Sequence, residues 1–326
     1  MPELDAQIEA FPLKRHFTIS RGSKTETIVV VATIRDGGVV GRGECGPNAR
    51  YNETPEGVVA DILAMAPAVR AGLSRAALMD AMPPGAARNA LDCALWDFEA
   101  AMSGTPARVR SGIGDLRPVV TAFTLSADDP SEMASAAAAN ADRPLLKLKL
   151  TGDGDLERVQ AVRSAAPTPR LIVDANEAWD VAAYEAFVPE FQALGVEMIE
   201  QPFPAGDDTA LLQLARPIPI CADEAFRDVE SLPALAGKYD LVNIKLDKTG
   251  GLTAALVAAN AAQAAGFAVM VGCMVGTSLA MAPAMLVAQG AAYVDLDGPL
   301  LLAEDREPGL TVDRSELSLP PSGLWG

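Results

Sequence analysis

Leu145-Leu146-Lys147-Leu148-Lys149 is an apolar run that closes on a charge. Four similar runs follow: Leu171-Ile172-Val173-Asp174, Met198-Ile199-Glu200, Ile218-Pro219-Ile220-Cys221-Ala222-Asp223 and Leu241-Val242-Asn243-Ile244-Lys245. The closing charges lie 25, 26, 23 and 22 residues apart, near the length of one strand and its return helix. A charge at the end of a buried strand is costly unless it meets a partner or a metal. Five in phase describe an active site spread over the strand ends of a parallel barrel. Taken singly, each could be a solvated loop residue or half of an ion pair; the shared phase argues against that.

Working outward, the same rhythm extends in both directions. Strands are expected at 119–125, 145–150, 171–174, 198–200, 218–222, 241–246, 268–271 and 293–295. Helical patterns at 131–141, 155–165, 184–194, 209–214, 229–236, 252–265 and 279–289 separate them. Alternating strands and helices imply a parallel sheet, and eight strands suggest closure. The fold class expected is α/β, a TIM-like (β/α)8-type barrel. Residues 1–35 instead read as paired strands, turning at Asp36-Gly37-Gly38 into a strand ending at Cys45. Residues 54–103 then turn helical, most clearly at Asn89–Asp97. We therefore expect an N-terminal α+β capping domain at 1–110, a modified barrel at 111–299, and a tail, 300–326, that folds back on the capping domain.

The bulk properties narrow the class. With 26 basic against 43 acidic side chains the net charge is −17, which disfavours nucleic acid and anionic membranes as partners. Cys45, Cys93, Cys221 and Cys273 form no CxxC or zinc spacing, which fits a reducing cytoplasm. Cys221 and Cys273 read as buried thiols within strands. The start, Met1-Pro2-Glu3-Leu4-Asp5, shows no secretory pattern. Residues 249–294 carry no charge, but Asn260, Gln263, Pro283 and Gln289 interrupt them, so helix, strand and helix are expected rather than a membrane span.

In a closed eight-strand barrel, strands two and six oppose one another. Lys147 and Lys149, at i and i+2 on strand two, share a face. They would look across the mouth at Lys245. Between them stand Asp174, Glu200 and Asp223, a set suited to a hard divalent cation with open positions, Mg²⁺. A cation on a substrate carboxylate stabilises the charge left by removal of the α-proton. Burial, the metal and Lys147 are expected to lower Lys149 into the range of about 7–8 where a lysine works as a base. Amines on both faces of one carbon predict a 1,1-proton transfer. His16, the only histidine, is read as a surface or packing residue.

These motifs, with Val173-Asp174-Ala175-Asn176, Ile199-Glu200-Gln201-Pro202, Ala222-Asp223-Glu224 and Asn243-Ile244-Lys245, resemble the enolase superfamily, in its muconate-lactonizing-enzyme-like branch. The resemblance covers essentially the whole chain. It implies Mg²⁺ on Asp174, Glu200 and Asp223, and Lys149 with Lys245 as acid and base; a lysine or histidine base beside Mg²⁺ is that superfamily's general arrangement. Asp295-Leu296-Asp297 at the end of strand eight resembles the dipeptide epimerases, where the pair holds the substrate's ammonium group. The stretch Gly272–Ser278 with Asp295–Pro299 is similar to the L-Ala-D/L-Glu epimerases. A small dipeptide is then the partner, while homo-oligomerisation is left open. Arg21 and Lys24, in the loop Ser20–Lys24, are candidates to pair with a substrate glutamate side chain, with Arg50 and Tyr51 behind them. Glu224 and Asn176 are candidates to orient a lysine or a metal ligand. Two departures stand out: Val275-Gly276 replaces a glutamate many relatives carry, and Asp247-Lys248 adds charges just after Lys245. The rival readings are muconate cycloisomerase, o-succinylbenzoate synthase or N-acylamino acid racemase on the same scaffold, and a non-catalytic binding protein.

Overall fold

The computed structural model describes residues 1–326. Its first sheet is an antiparallel meander, β1 (Glu3–Ile19), β2 (Gly22–Asp36) and β3 (Val39–Cys45). Ser20 and Arg21 form the turn between β1 and β2, and His16 lies exposed on β1. Alternate residues Val30, Ala32 and Ile34 pack with Ala90, Leu91 and Ala94 of the helix Ala86–Ser103. Val31, between them, joins the barrel's core. The sheet is thus covered on both faces, as its unbroken apolar run requires. Gly43 lets sheet and helix touch: a Cβ there would lie 2.1 Å from Ala90 O.

Eight parallel strands follow in sequence order: β5 (Phe123–Leu125), β6 (Leu145–Lys149), β7 (Arg170–Asp174), β8 (Val196–Glu200), β9 (Ile220–Ala222), β10 (Leu241–Ile244), β11 (Ala268–Gly272) and β12 (Tyr293–Asp295). At the seam between β12 and β5, Ala122 N–H donates to Val294 O at 2.7 Å. The seven interior residues Ala122, Leu145, Ile172, Met198, Cys221, Leu241 and Met270 form an apolar layer of their own. Strand period two puts Lys147, Asp174, Glu200, Asp223, Asn243 and Gly272 one step above it. The alternating residues Leu146, Leu148, Leu171, Val173 and Ile199 belong to the outer core with the helices. The charged layer therefore rests on a closed hydrophobic floor.

Several sequence expectations need correction. The run 119–125 is two strands, β4 (Val119–Val120) and β5, because Thr121 N–H bonds Ser315 O and Thr121 Oγ1 accepts from Leu296 N. The strand β4 pairs instead with β14 (Glu316–Leu317), which pairs with β13 (Val312–Asp313). The helices expected at 209–214 and 229–236 shrink to 3₁₀ turns at Thr209–Leu212 and Val229–Ser231, the second followed by the single turn Leu232–Leu235. Pro233 just inside that turn suits a helix start and not a long helix interior. Strand β12 is followed by a short helix, Gly298–Leu301. In the uncharged stretch, helices Leu252–Ala264 and Ser278–Ala288 flank β11, and no helix is long and apolar enough to cross a membrane. All four cysteines are free; Cys221 is buried as expected, but Cys273 falls beyond the end of β11 and is only half-buried.

The C-terminal segment runs back along the first sheet. Arg306 bonds Glu9 and Glu44, Arg42 bonds the carbonyls of Gly323 and Leu324, and Trp325 Nε1 donates to Cys93 O at 3.0 Å.

Candidate active site

The strand ends and the first sheet enclose a cavity of about 620 Å³. Lys147, Lys149, Asp223, Glu224, Lys245, Asp295 and Asp297 line its barrel side; Arg21, Lys24, Arg50 and Tyr51 line the opposite side. A larger groove of about 1010 Å³ lies against the C-terminal segment, but its Arg42 and Asp97 are engaged with backbone groups and it carries no comparable chemistry.

On the barrel side the expected charges form ion pairs around the mouth, with Asp174 and Glu200 fully buried behind the cavity lining. Asp174 and Glu200 are register partners on neighbouring strands. Lys149 Nζ stands 2.6 Å from Asp174 Oδ2. Lys147 Nζ stands 3.2 Å from Asp174 Oδ2, 2.6 Å from Glu200 Oε2 and 2.7 Å from Asp295 Oδ2. Across the mouth, four strands away, Lys245 Nζ meets Asp223 Oδ2 at 2.7 Å.

The remaining carboxylate oxygens are pinned from outside. Asn176 N–H donates to Asp174 Oδ1 at 2.9 Å, Asn243 Nδ2 to Glu200 Oε1 at 2.7 Å, and Lys248 Nζ to Asp223 Oδ1 at 2.7 Å. Each acid thus turns one fixed oxygen inward. Glu200 Oε2, though close to Lys147, accepts no properly directed hydrogen bond. Three inward oxygens, one without a hydrogen-bond donor, are what a hard cation with oxygen ligands needs, so the residues fit Mg²⁺. As the side chains stand, the lysines lie closer to these oxygens than a shared ion would allow, and no three acids are drawn together on one point.

Two of the lysines are held as ammonium ions by the acids around them. Burial pulls the Lys245 ammonium down, but Asp223 and Glu200 outweigh it and hold it above its ordinary value. Lys147 behaves likewise, with burial overcome by Asp295, Glu200 and Asp174. At these two lysines the carboxylates outvote burial. Glu200 is pushed up to about 7 by burial and by Asp174 and Asp223. Asp174, despite burial, is drawn down to about 2 by Lys149 and Lys147.

The last strand brings Asp295 and Asp297 to the same cavity. Asp297 Oδ2 accepts from Thr124 N–H at 2.6 Å, and burial with Asp295 pushes its carboxyl up to about 7. Asp295 faces Lys147 as well as the cavity.

The lid side divides the two cations taken together in the sequence. Arg21 is engaged: it bonds Asn176 O, Glu177 Oε2 and, at 2.7 Å, Glu224 Oε1. Arg50 grips Glu177 with two donors. Glu224 therefore orients Arg21 and not a lysine. Lys24 lines the cavity without a carboxylate partner; desolvation, with Lys149 adding to it, lowers its ammonium.

Comparison with known proteins identifies the family. Residues 5–108 match the mandelate racemase/muconate lactonizing enzyme N-terminal domain, and residues 132–321 match the enolase C-terminal domain-like family. An L-Ala-D/L-Glu epimerase of Escherichia coli K12 is 45% identical over 313 residues, covering 95% of this chain and 98% of its own. The chain belongs to the mandelate racemase/muconate lactonizing enzyme family, within the enolase superfamily. An N-acetyl-D-glutamate racemase of a Pseudoalteromonas species is 44% identical, covering 91% of this chain and 95% of that protein. Among solved structures, an enolase family member from Agrobacterium tumefaciens with homology to dipeptide epimerases, holding sodium and L-Ala-L-Glu with an ordered loop, is 53% identical over the whole of both chains, with a TM-score of 0.99. A dipeptide epimerase from Enterococcus faecalis, complexed with Mg and L-Leu-L-Tyr, is 29% identical, covers 99% of this chain and 98% of its own, and has a TM-score of 0.88.

As a member of that family the chain has supports the sequence did not single out. Glu177 receives both lid arginines and the Ala205 N–H. Gln201 Oε1 accepts from Asp223 N and Ala225 N, fixing the backbone under Asp223. Positive φ at Asn176 (45°), Glu177 (68°) and Gln201 (38°) marks these corners as strained.

Proposed function

We propose that this chain is a Mg²⁺-dependent dipeptide epimerase acting on Ala-Glu dipeptides, inverting the α-carbon of the C-terminal residue. The observation that carries the reading is the opposition of Lys149 and Lys245 across the barrel mouth, each paired to a different member of the same acidic wall.

Asp174, Glu200 and Asp223 would hold the metal. When bound, a divalent cation supplies positive charge for the substrate carboxylate and for the anion that develops at it, and it competes with the lysines for the inward oxygens. The rest falls to the chain's own groups. Lys149 or Lys245, as a neutral amine, takes the α-proton on its face; the other, as an ammonium, delivers one to the opposite face. The two lysines exchange protonation states over one turnover, so the reaction runs in both directions. Lys147 keeps positive charge beneath the developing anion. Asp295 and Asp297 grip the substrate ammonium, and Lys24 pairs with the glutamate side chain. Arg21, engaged with Glu177 and Glu224, holds the lid in place. The hydrophobic floor and the lid exclude water around the exchange. We also propose that residues 1–110 with 300–326 act as one capping unit on the barrel at 111–299.

The test is proton NMR of L-Ala-L-Glu in D₂O with enzyme and Mg²⁺. Deuterium should enter the glutamate α-position as the L-Ala-D-Glu diastereomer accumulates; no exchange on any dipeptide refutes the reading. A second reading rests on Asp297: a carboxyl pushed up to about 7 can stay protonated and face an uncharged acylamino group. Faster exchange on N-acetylglutamate than on Ala-Glu would select that reading.

A further inference from the structure

After Lys245 the chain makes a single helical turn, Leu246–Thr249, and stops at Gly250, whose φ is 78°. The turn brings Lys248 back beneath the acidic wall. Its side chain is fully buried. An ammonium has three donors, and all are used: on Asp223 Oδ1 at 2.7 Å, Asp223 O at 2.6 Å and Asn243 O at 2.9 Å. None is left for a substrate. The partner oxygen, Asp223 Oδ2, is the one that faces Lys245.

The other two acids are pinned by neutral donors, a backbone N–H for Asp174 and an amide for Glu200. Asp223 is pinned by a charge, and twice, through its side chain and its own carbonyl. The turn that carries this charge is itself held by the first domain. Arg88 donates to Thr249 O at 2.7 Å and to Gly250 O at 3.1 Å, covering carbonyls that the short helix leaves open. A Cβ on Gly250 would lie 2.5 Å from Arg88 Nε. Asp247 Oδ1 accepts from Gly46 N at 2.9 Å and from Asn89 Nδ2 at 3.0 Å.

We propose that Lys248 is a positioning residue: it locks Asp223 so that a single oxygen faces the cavity, and through that oxygen it sets both metal affinity and the placement of Lys245. This rests on Asp223 being a metal ligand. The capping domain, by holding the turn, fixes where Lys248 acts.

The experiment uses the full chain with Lys248→Met, which keeps the volume and removes the donors. Mg²⁺ binding is measured by calorimetry without substrate, alongside the thermal midpoint and the kcat and KM for Ala-Glu at saturating Mg²⁺. Loss of an orienting group behind a metal ligand typically weakens binding about 10- to 100-fold, and that is the expected result, with a fall in kcat at nearly constant KM. Proton exchange should fall most for the diastereomer whose exchange Lys245→Ala removes. Wild-type Mg²⁺ affinity and kcat, even with a lowered midpoint, overturn the proposal, because a merely structural lysine would give that result. Lys248→Gln, which retains a donor, replaces the methionine variant if that does not fold, and is read by the same criteria. Asp174→Asn separates the two ideas: if it leaves Mg²⁺ affinity intact, the metal reading fails; if it weakens affinity and Lys248→Met does not, only the role of Lys248 fails.

Discussion

On one wall of the mouth, Asp174 faces Lys149 at 2.6 Å and Lys147 at 3.2 Å. Two strands further round, Asp223 faces Lys245 and Lys248, both at 2.7 Å. Each acid has two lysines, yet the pairs arise differently. Lys147 and Lys149 sit at i and i+2 on one strand, so pleating alone aims them inward. Lys245 and Lys248 sit at i and i+3 around a helical turn, and that turn depends on Arg88, Asn89 and Gly46 of the first domain. The inner lysines also differ. Lys147 reaches on to Glu200 and Asp295 and belongs to the cavity; Lys248 closes on backbone carbonyls and belongs to the scaffold. One wall is built by the barrel alone, the other by barrel and cap together.

Replacing the outer lysines tests the functional equivalence of the walls. Lys149→Ala and Lys245→Ala should each lower epimerisation by about 10²- to 10⁴-fold, the usual contribution of a positioned acid or base. NMR in D₂O should find residual exchange from opposite diastereomers in the two variants. Loss of exchange from the same diastereomer in both would break the symmetry.

Lys147→Met should act next most strongly, on stability. It leaves buried carboxylates unpaired, at a cost of about 3–5 kcal/mol in metal-free protein. Denaturation with and without Mg²⁺ should show a larger stabilisation by the ion in this variant than in the wild type, since the ion then supplies the missing charge.

The lid cations come third. Lys24→Met should raise KM for Ala-Glu by about 10- to 100-fold, the value of a lost charged hydrogen bond, and leave Ala-Leu unchanged. Arg21→Met should raise KM for both dipeptides alike, because it loosens the lid without touching a side-chain contact. Substrate profiling distinguishes the two.

A pH effect concerns the wall that leans on the cap. Burial pushes the Asp247 carboxyl up to about 7. A carboxyl raised in the folded state binds protons there more readily than in the unfolded chain. Its contribution to stability is therefore greatest below pH about 4 and declines as pH rises toward about 7. Asp247→Asn keeps the acceptor for Gly46 and Asn89 and removes the slope, about 1.4 kcal/mol per pH unit inside that window. Parallel wild-type and variant stability curves would refute this.

The legibility of the molecule follows the same division. Strands whose inward residues alternate with outward apolar ones, Leu145–Lys149 and Arg170–Asp174 above all, could be read with their facing directions, because period two is local. The run 119–125 could not, since its break at Thr121 is made by Ser315 and Leu296, nearly two hundred residues away. Arg21 and Lys24 looked equivalent because the two carboxylates that engage Arg21, Glu177 and Glu224, come from other strand ends. Lys248 registered only as an extra charge, as its three acceptors lie on two different strand ends.

By itself the sequence determined the barrel, the five phased charges and the family, because strand alternation and burial are written at short range in residue types. Which oxygen of each acid faces inward, which lid cation stays unpaired, and how the cap holds the Lys245 wall were decided only by the tertiary structure. Those outcomes depend on hydrogen-bond donors brought together from distant segments, and no local pattern encodes that meeting.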